Sequence, residues 1–384
     1  MFTSYYLAHK GVSVTMVEKN PGEAGTSVHN AGYIVPSFAP TPPIGIGKIL
    51  ATYLGVQGPV YIPPGQVLRN AGWLRAALKG IRGSAKASID LGMKSLELYN
   101  AFFAEEKADL DLKKGVLGLY KHAEMAKKDA QALKGQQLDR EETLRQGFTG
   151  FEAGVLFGEE LSVNPLKLFR ELRRRLTKVG VKVALGKEAQ LRGQRPRISS
   201  ALIDSENVDA DAFVIAAGAW SRELCAPLGY DPQIIPARGL AMTFDTGGAN
   251  VAGYPGLFED YGIAVVQHNQ NTVTLTSFFE LRDFQSTFSE SRKKWLLDSV
   301  SSHLKDYGKL RYVREGVGFR PSTPDQFPVI GKVPGYENVL IAAGHSRLGV
   351  TLAPATGYAI ASLLAGETPP DIPLSEFDPS RFTS

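Results

Sequence analysis

Two arginines near the C-terminal end are the residues of this chain best suited to chemistry. Arg320 lies in the run Glu315-Gly-Val-Gly-Phe-Arg-Pro-Ser-Thr-Pro-Asp325, and Arg347 lies inside the turn Gly344-His-Ser-Arg-Leu-Gly349. A guanidinium is planar, permanently charged and forked, so it can hold a carboxylate through two parallel N–H···O bonds. Two readings of Arg320 stand at this level. It is a carboxylate anchor, or it is half of a structural ion pair with Glu315 or Asp325. His345 reads as a turn residue. No second His, Cys or carboxylate stands at ligand spacing from it, so no metal is expected.

These side chains need a scaffold, and the sequence outlines one. Residues 339–343 are apolar and run into the glycine turn. Residues 349–357 then open a helix, giving strand, turn and helix in succession. At the other end, residues 2–10 read as the end of a helix, with Gly11 as its stop. Residues 12–17 follow as a strand ending in Glu18. Residues 20–65 are rich in Gly, Pro, Ser and Thr and read as a long loop, a length that usually accompanies function. Residues 66–112 carry helical periodicity, with Trp73, Leu74, Ala77, Leu78 and Ile81 along one stripe. Residues 121–146 are polar and helical in pattern.

Asn164-Pro165 opens an amphipathic helix, because Asn164 can cap it and Pro165 suits its first position. Leu166, Phe169, Leu172, Leu176 and Val179 recur at helical spacing. Gly180 closes it, and residues 181–185 follow as a strand. Residues 211–218 read as a buried parallel strand running into a tight turn. Residues 231–280 alternate short strands and turns, the pattern of an antiparallel sheet. The expected organisation has two parts. Segments 1–50, 151–230 and 318–384 form one α/β domain, and 51–150 with 231–317 form an inserted substrate or cap domain.

Bulk properties exclude several classes. The 384 residues are 43% hydrophobic and 21% charged, ordinary for an enzyme with large buried cores. The net charge is +4, with no basic stripe interleaved with aromatics, so no nucleic-acid partner is expected. The single cysteine, Cys225, precludes an intrachain disulfide or a Cys-x-x-Cys redox pair, and it reads as an inert core thiol. No apolar run is long enough to span a bilayer, and no signal peptide opens the chain. The basic stretch 69–94, with Arg69, Arg75, Lys79, Arg82 and Lys86, has two readings. One is a solvated domain face and the other is contact with an anionic membrane surface. A cytoplasmic location is expected, at the inner face of the membrane under the second reading.

The N-terminal pattern matches the second half of a dinucleotide-binding unit. In such a unit a Gly-x-Gly-x-x-Gly turn precedes the first helix, and an acid about 20 residues later binds the adenosine ribose. Glu18 stands where that acid belongs, and counting back places the glycine turn just before Met1. The expected fold is therefore a Rossmann-like domain lacking its first strand and glycine loop, plus an α+β substrate domain with an antiparallel sheet. Two strands would lack a pairing partner, and the pyrophosphate would lack its main anion site. A start codon assigned too late is the most economical expectation.

The matching segments extend along the whole chain. They are residues 4–18, Thr26-Ser27 with Asn30-Ala31-Gly32, Ala216-Ala-Gly218-Ala-Trp220-Ser221 and Pro236-Ala-Arg238-Gly239. Gly318-Phe-Arg320-Pro with Thr323-Pro-Asp325, and Gly344 through Gly357, complete the set. In these segments the chain resembles the FAD-dependent D-amino-acid oxidase superfamily. Within it, the chain is most similar to D-amino-acid dehydrogenase small subunits, with glycine oxidase close behind.

The resemblance implies a non-covalent FAD and a small amino-acid substrate. It also implies oxidative deamination to a 2-oxo acid and ammonia by hydride transfer to flavin N5, with a quinone, another carrier or oxygen taking the electrons. Glu18 would hold the ribose hydroxyls. Thr26, Ser27, Asn30, Ala31 and Gly32 would lie along the flavin, with Gly32 permitting close backbone approach. Gly218 would pass near the adenosine half. Gly344, His345, Ser346, Leu348, Gly349, Val350 and Thr351 would wrap the flavin ring. Arg320 would bind the substrate carboxylate, while Arg347 would narrow the pocket or assist it. Tyr261 would reach the carboxylate or serve as a packed strand tyrosine. Glu280 would be structural. The alternatives are a glycine, sarcosine or proline-type enzyme, and a non-catalytic remnant or partner subunit.

Overall fold

The computed structural model describes residues 1–37, 58–78 and 84–383. Its largest element is a ten-stranded mixed sheet. Along it run Arg311–Ser322, Ile235–Asp245, Thr272–Leu281, Ile263–Gln267, Gly256–Phe258, Lys113–Tyr120, Ala153–Ser162 and Tyr33–Ile34. The 231–280 alternation is thus realised as hairpin-linked antiparallel strands. Their inward side chains, among them Leu240, Phe258, Val265 and Leu275, fill the main core with Phe148, Phe151 and Leu296.

The parallel strands form two further sheets. Thr15–Glu18 pairs with Lys182–Leu185. Phe213–Ile215 pairs with Val339–Ala343, which in turn takes Val329–Lys332 antiparallel. Each of Thr15–Glu18 and Phe213–Ile215 pairs on one side only among the described strands, and residues of both line the same cavity. Helix Gly349–Leu364 lies between the sheets and the Ala85–Glu105 helix. It buries Leu352, Ala355, Ala359 and Ile360 against Val35, Leu91 and Leu340. Helix Phe2–His9 rests directly on it, for a Cβ at Gly357 would stand 2.6 Å from the Phe2 carbonyl carbon.

Helix Pro165–Lys178 starts where its cap predicts, with Asn164 Oδ1 accepting from the Leu166 and Lys167 amides at 3.1 and 3.4 Å. The helical 66–112 stretch becomes Pro64–Arg69, Ala71–Leu78 and Ala85–Glu105. Trp73, Leu74 and Ala77 are buried, Leu78 is exposed, and Ile81 lies outside the described residues. Residues 121–146 are not one helix. Lys134 turns left-handed (φ 56°), ending Ala123–Leu133, and strand Gln136–Leu138 precedes helix Arg140–Arg145.

A three-stranded antiparallel sheet over Ala189–Gln194, Arg197–Ile203 and Glu206–Asp209 has no clear sequence signal. Much of its surface faces solvent, and the alternation is brief, as in Ala189-Gln190-Leu191-Arg192. Tyr33–Ile34 and Ala153–Ser162 pair within the ten-stranded sheet, and Arg311–Ser322 runs straight through position 317.

Candidate active site

A cavity of 2080 Å³ is lined by residues of the three smaller sheets and of the large one. Arg320, Arg347, Glu18, Thr26, Ser27, Asn30, Ala31, Gly32, Gly218, His345, Ser346, Leu348, Gly349 and Val350 all line it. Residues separated by more than 300 positions therefore share one cavity.

Arg320 reaches the cavity from strand Arg311–Ser322, opposite Ala237 in the register of Ile235–Asp245. The two carboxylates that could have claimed it are taken. Glu315 pairs with Lys293 at 2.7 Å, and Asp325 pairs with Arg381 at 2.9 Å. Arg320 makes no ion pair among the described residues and donates Nη1 to the Phe278 carbonyl. Neighbouring Gly239 makes room for it, since a Cβ there would stand 2.2 Å from Nη1. Desolvation, and then the like charge of Arg347, push the Arg320 pKa down to about 10. It remains charged at neutral pH, in surroundings that favour an incoming anion.

Arg347 is open to the cavity. Desolvation lowers its pKa, and the charge of Glu259 opposes that shift. Glu259 also lines the cavity, as do Tyr33 and Tyr120. The sequence carried no signal for these three, each being an ordinary strand or turn residue until the sheet closes. Tyr261 is placed elsewhere. It packs against the main core, with its hydroxyl 3.5 Å from His303 Nε2 and Lys121 Nζ 5.7 Å from its ring centroid. It is not among the cavity-lining residues.

The two C-terminal motifs form one structure. Ser346 (φ 48°) donates its Oγ to Gln326 Oε1 at 2.6 Å and its amide to the Pro321 carbonyl at 2.9 Å. A bridge joins Ser322 to His345. Gly344 lies behind the cavity wall, where a Cβ would meet Thr323 at 2.8 Å. His345 has Nε2 3.0 Å from Thr356 Oγ1, and burial pushes its pKa down to about 4, leaving it neutral near pH 7. Gly349 and Val350 bring the positive end of the helix dipole to the cavity. Thr351 points away from that role. Its Oγ1 donates to the Tyr33 carbonyl (3.1 Å) and accepts from the Val35 amide (3.2 Å), tying the helix to the large sheet.

The 26–32 loop is clamped on the same strand. Thr26 Oγ1 donates to the Phe319 carbonyl at 2.9 Å and accepts from its amide at 2.8 Å. Asn30 donates to the Thr26 and Ser27 carbonyls and accepts from the Gly32 amide at 2.7 Å. Gly32 (φ +71°) lines the cavity and is also required by protein packing, because a Cβ would fall 1.9 Å from the Val163 carbonyl oxygen. At the far end, Glu18 Oε1 accepts from the Asn20 amide and Nδ2 at 2.9 and 2.7 Å. Residues 1–4, the start of helix Phe2–His9, line the cavity beside it.

Supporting residues behave as their chemistry suggests. Glu280 is buried. Its Oε2 accepts from Arg238 Nε and Nη2 at 2.8 and 2.7 Å, and its Oε1 accepts from Arg292 Nε at 2.8 Å. Cys225 is fully buried, and desolvation pushes its thiol up to about 12, which keeps it unreactive. In the basic stretch, Arg69 pairs with Asp283 and Lys86 with Asp90, while Lys79 and Arg82 lie outside the described residues. Among the described residues no helix is long and apolar enough to cross a membrane.

The FAD dependent oxidoreductase (DAO) family matches residues 1–363, and the chain belongs to that family. It is an FAD-dependent oxidoreductase by family, and its cofactor is FAD. Solved structures share the fold. L-proline dehydrogenase from P. horikoshii is 17% identical with a TM-score of 0.80, covering 100% of this chain and 94% of its own. Glycine oxidase from Geobacillus kaustophilus is 19% identical with a TM-score of 0.80, covering 99% and 95%. L-amino acid deaminase from Proteus myxofaciens is 16% identical with a TM-score of 0.77, covering 100% and 91%.

Residues lining the cavity fit FAD in two respects. A carboxylate at Glu18 suits ribose hydroxyls, and the helix start at Gly349 suits an electron-rich ring edge. No Gly-x-Gly-x-x-Gly turn occurs in the chain.

Proposed function

We propose that this protein oxidatively deaminates a small amino acid, the D-enantiomer being the expected hand, to a 2-oxo acid and ammonia. The observation that carries the reading is Arg320. It is a cavity guanidinium whose two sequence-near carboxylates are engaged elsewhere, and Gly239 leaves it space. When bound, FAD supplies the two-electron acceptor for the Cα hydride. Arg320 holds the substrate carboxylate and thereby orients the Cα–H bond, and positioning of this kind supplies much of the rate. His345 is uncharged near pH 7 and does not compete for that carboxylate.

The substrate amine must lose its ammonium proton before oxidation, so that its lone pair assists hydride departure. No dedicated side-chain base is required. The imino acid released hydrolyses in water, and a secondary amine such as proline gives a cyclic imine instead. Arg347, beside Arg320 in the same cavity, supports a second reading as a glycine, sarcosine or proline-type enzyme. A quinone or another carrier is the proposed electron acceptor. The 69–94 stretch is the proposed place of any peripheral membrane contact.

The test is anaerobic mixing of the FAD-loaded chain with D-alanine, L-alanine, glycine, sarcosine and L-proline, followed by flavin absorbance. Bleaching by D-alanine alone supports the main reading. Bleaching by glycine, sarcosine or proline alone moves the assignment to the second. No bleaching by any of them overturns both.

A further inference from the structure

The Arg320 guanidinium is held by a strained backbone, and the strain has an identifiable cause. Strands Ile235–Asp245 and Thr272–Leu281 pair in register from Asp245↔Thr272 to Leu240↔Ser277. The register then shifts, and it resumes at Arg238↔Glu280. The shift falls at Phe278, whose φ is +73°. A bulky L-residue rarely adopts the left-handed region, and bulges beside active sites re-aim groups there. Here the re-aimed group is the Phe278 carbonyl, which accepts from Arg320 Nη1.

The conformation is held from behind. The Phe278 ring stacks on Phe288 with centroids 5.2 Å apart, and the Arg292 guanidinium lies 4.3 Å from its centroid. Arg292 is itself fixed by Glu280 at 2.8 Å and by the Gly58 carbonyl at 2.7 Å.

We propose that Phe278 is the positioning residue of this site: its left-handed backbone at the bulge aims a carbonyl at Arg320 and fixes the guanidinium for a substrate carboxylate. The inference rests on the carboxylate-anchor reading of Arg320 given above. One N–H of Arg320 is spent on the protein, which sets the orientation of the fork and leaves its other donors for the ligand. The backbone does this, not the ring, and that distinction makes the proposal testable. Glycine adopts positive φ without penalty and alanine does not.

The experiment compares Phe278→Gly with Phe278→Ala in the FAD-loaded full chain. Both variants lose the ring, so their difference reads the backbone alone. The readout is the Kd for propionate, a carboxylate that cannot be oxidised as an amine, followed by perturbation of the flavin spectrum. Propionate is expected to bind Phe278→Ala about tenfold more weakly than Phe278→Gly, the factor that the left-handed preference allows. Amino-acid KM values should follow the same order, with kcat less affected. Equal Kd values in the two variants overturn the proposal while leaving the carboxylate anchor standing. No spectral response of the unsubstituted protein to propionate overturns the anchor reading and the proposal with it. Should ring loss prevent folding, Arg292→Met keeps ring and bulge but removes the cation behind them. It is expected to raise the propionate Kd about threefold, the scale of one cation–π contact, and an unchanged Kd would overturn the proposal.

Discussion

Gly239→Ala adds one methyl carbon and removes nothing, yet it is aimed at the site. Gly239 is an ordinary extended residue of strand Ile235–Asp245, so the backbone tolerates alanine there. The new Cβ would stand 2.2 Å from Arg320 Nη1 and 2.6 Å from both Cζ and Nη2. Carbon contacts settle near ~3.5 Å or beyond, so the guanidinium must move by about 1 Å. It is the free end of a long side chain beside a cavity, and it can move without unfolding the sheet. The move breaks its bond to the Phe278 carbonyl and misplaces the fork. A charge-assisted hydrogen bond is worth roughly 1.5–3 kcal/mol, so substrate KM should rise roughly 10- to 100-fold. The thermal midpoint should change little. Steady-state kinetics with a reactive amino acid, beside a thermal melt, provide the assay. Gly158→Ala is the control, since a Cβ at Gly158 meets nothing within 4 Å. A KM unchanged in Gly239→Ala would refute the claim that Arg320 binds substrate from its observed position.

Three further outcomes are expected. Glu280→Ala strips the buried Arg238 of its carboxylate and should destabilise the protein by about 3–5 kcal/mol, visible as a lowered denaturation midpoint. His268 is buried, its Nδ1 has no hydrogen-bond partner among the described residues, and desolvation lowers its pKa from 6.5 to about 4. The unfolded chain therefore takes up this proton at higher pH than the folded one. Stability should fall as pH drops from 6.5 towards 4, by about 3 kcal/mol from this group, and His268→Gln should flatten that part of the stability–pH curve. Arg320→Lys keeps the charge but loses the planar fork. It should raise the propionate Kd at least tenfold with little change in melting temperature, and an unaltered Kd would count against bidentate recognition.

Much of the scaffold was legible because it depends on near neighbours. Asn164-Pro165 states where a helix begins whatever surrounds it, and the apolar residues 339–343 leading into Gly344 read as strand and turn. Where burial was partial, legibility failed. The 189–209 sheet presents only a brief alternation on largely exposed strands, and residues 121–146 conceal a strand behind a left-handed Lys134. The site was legible in composition but not in arrangement. Tyr261 was as plausible a carboxylate contact as any tyrosine, and the fold puts it against His303. Glu259, Tyr33 and Tyr120 gave no sign of sharing a cavity with Arg320.

The sequence by itself determined the α/β character, the capped helix and the presence of an arginine beside a glycine-rich turn. Residue type and short-range spacing suffice for these. Tertiary structure alone decided that Lys293 and Arg381 take Glu315 and Asp325, leaving Arg320 to the cavity. It also decided that Gly32 answers to Val163 and that a bulge 42 residues away supplies the acceptor for Arg320. Thr26 meets Phe319 across 293 positions in the same way. Such pairings have no local signature. They follow from how the sheets close around a shared core, where the sum of many packing contacts selects one arrangement.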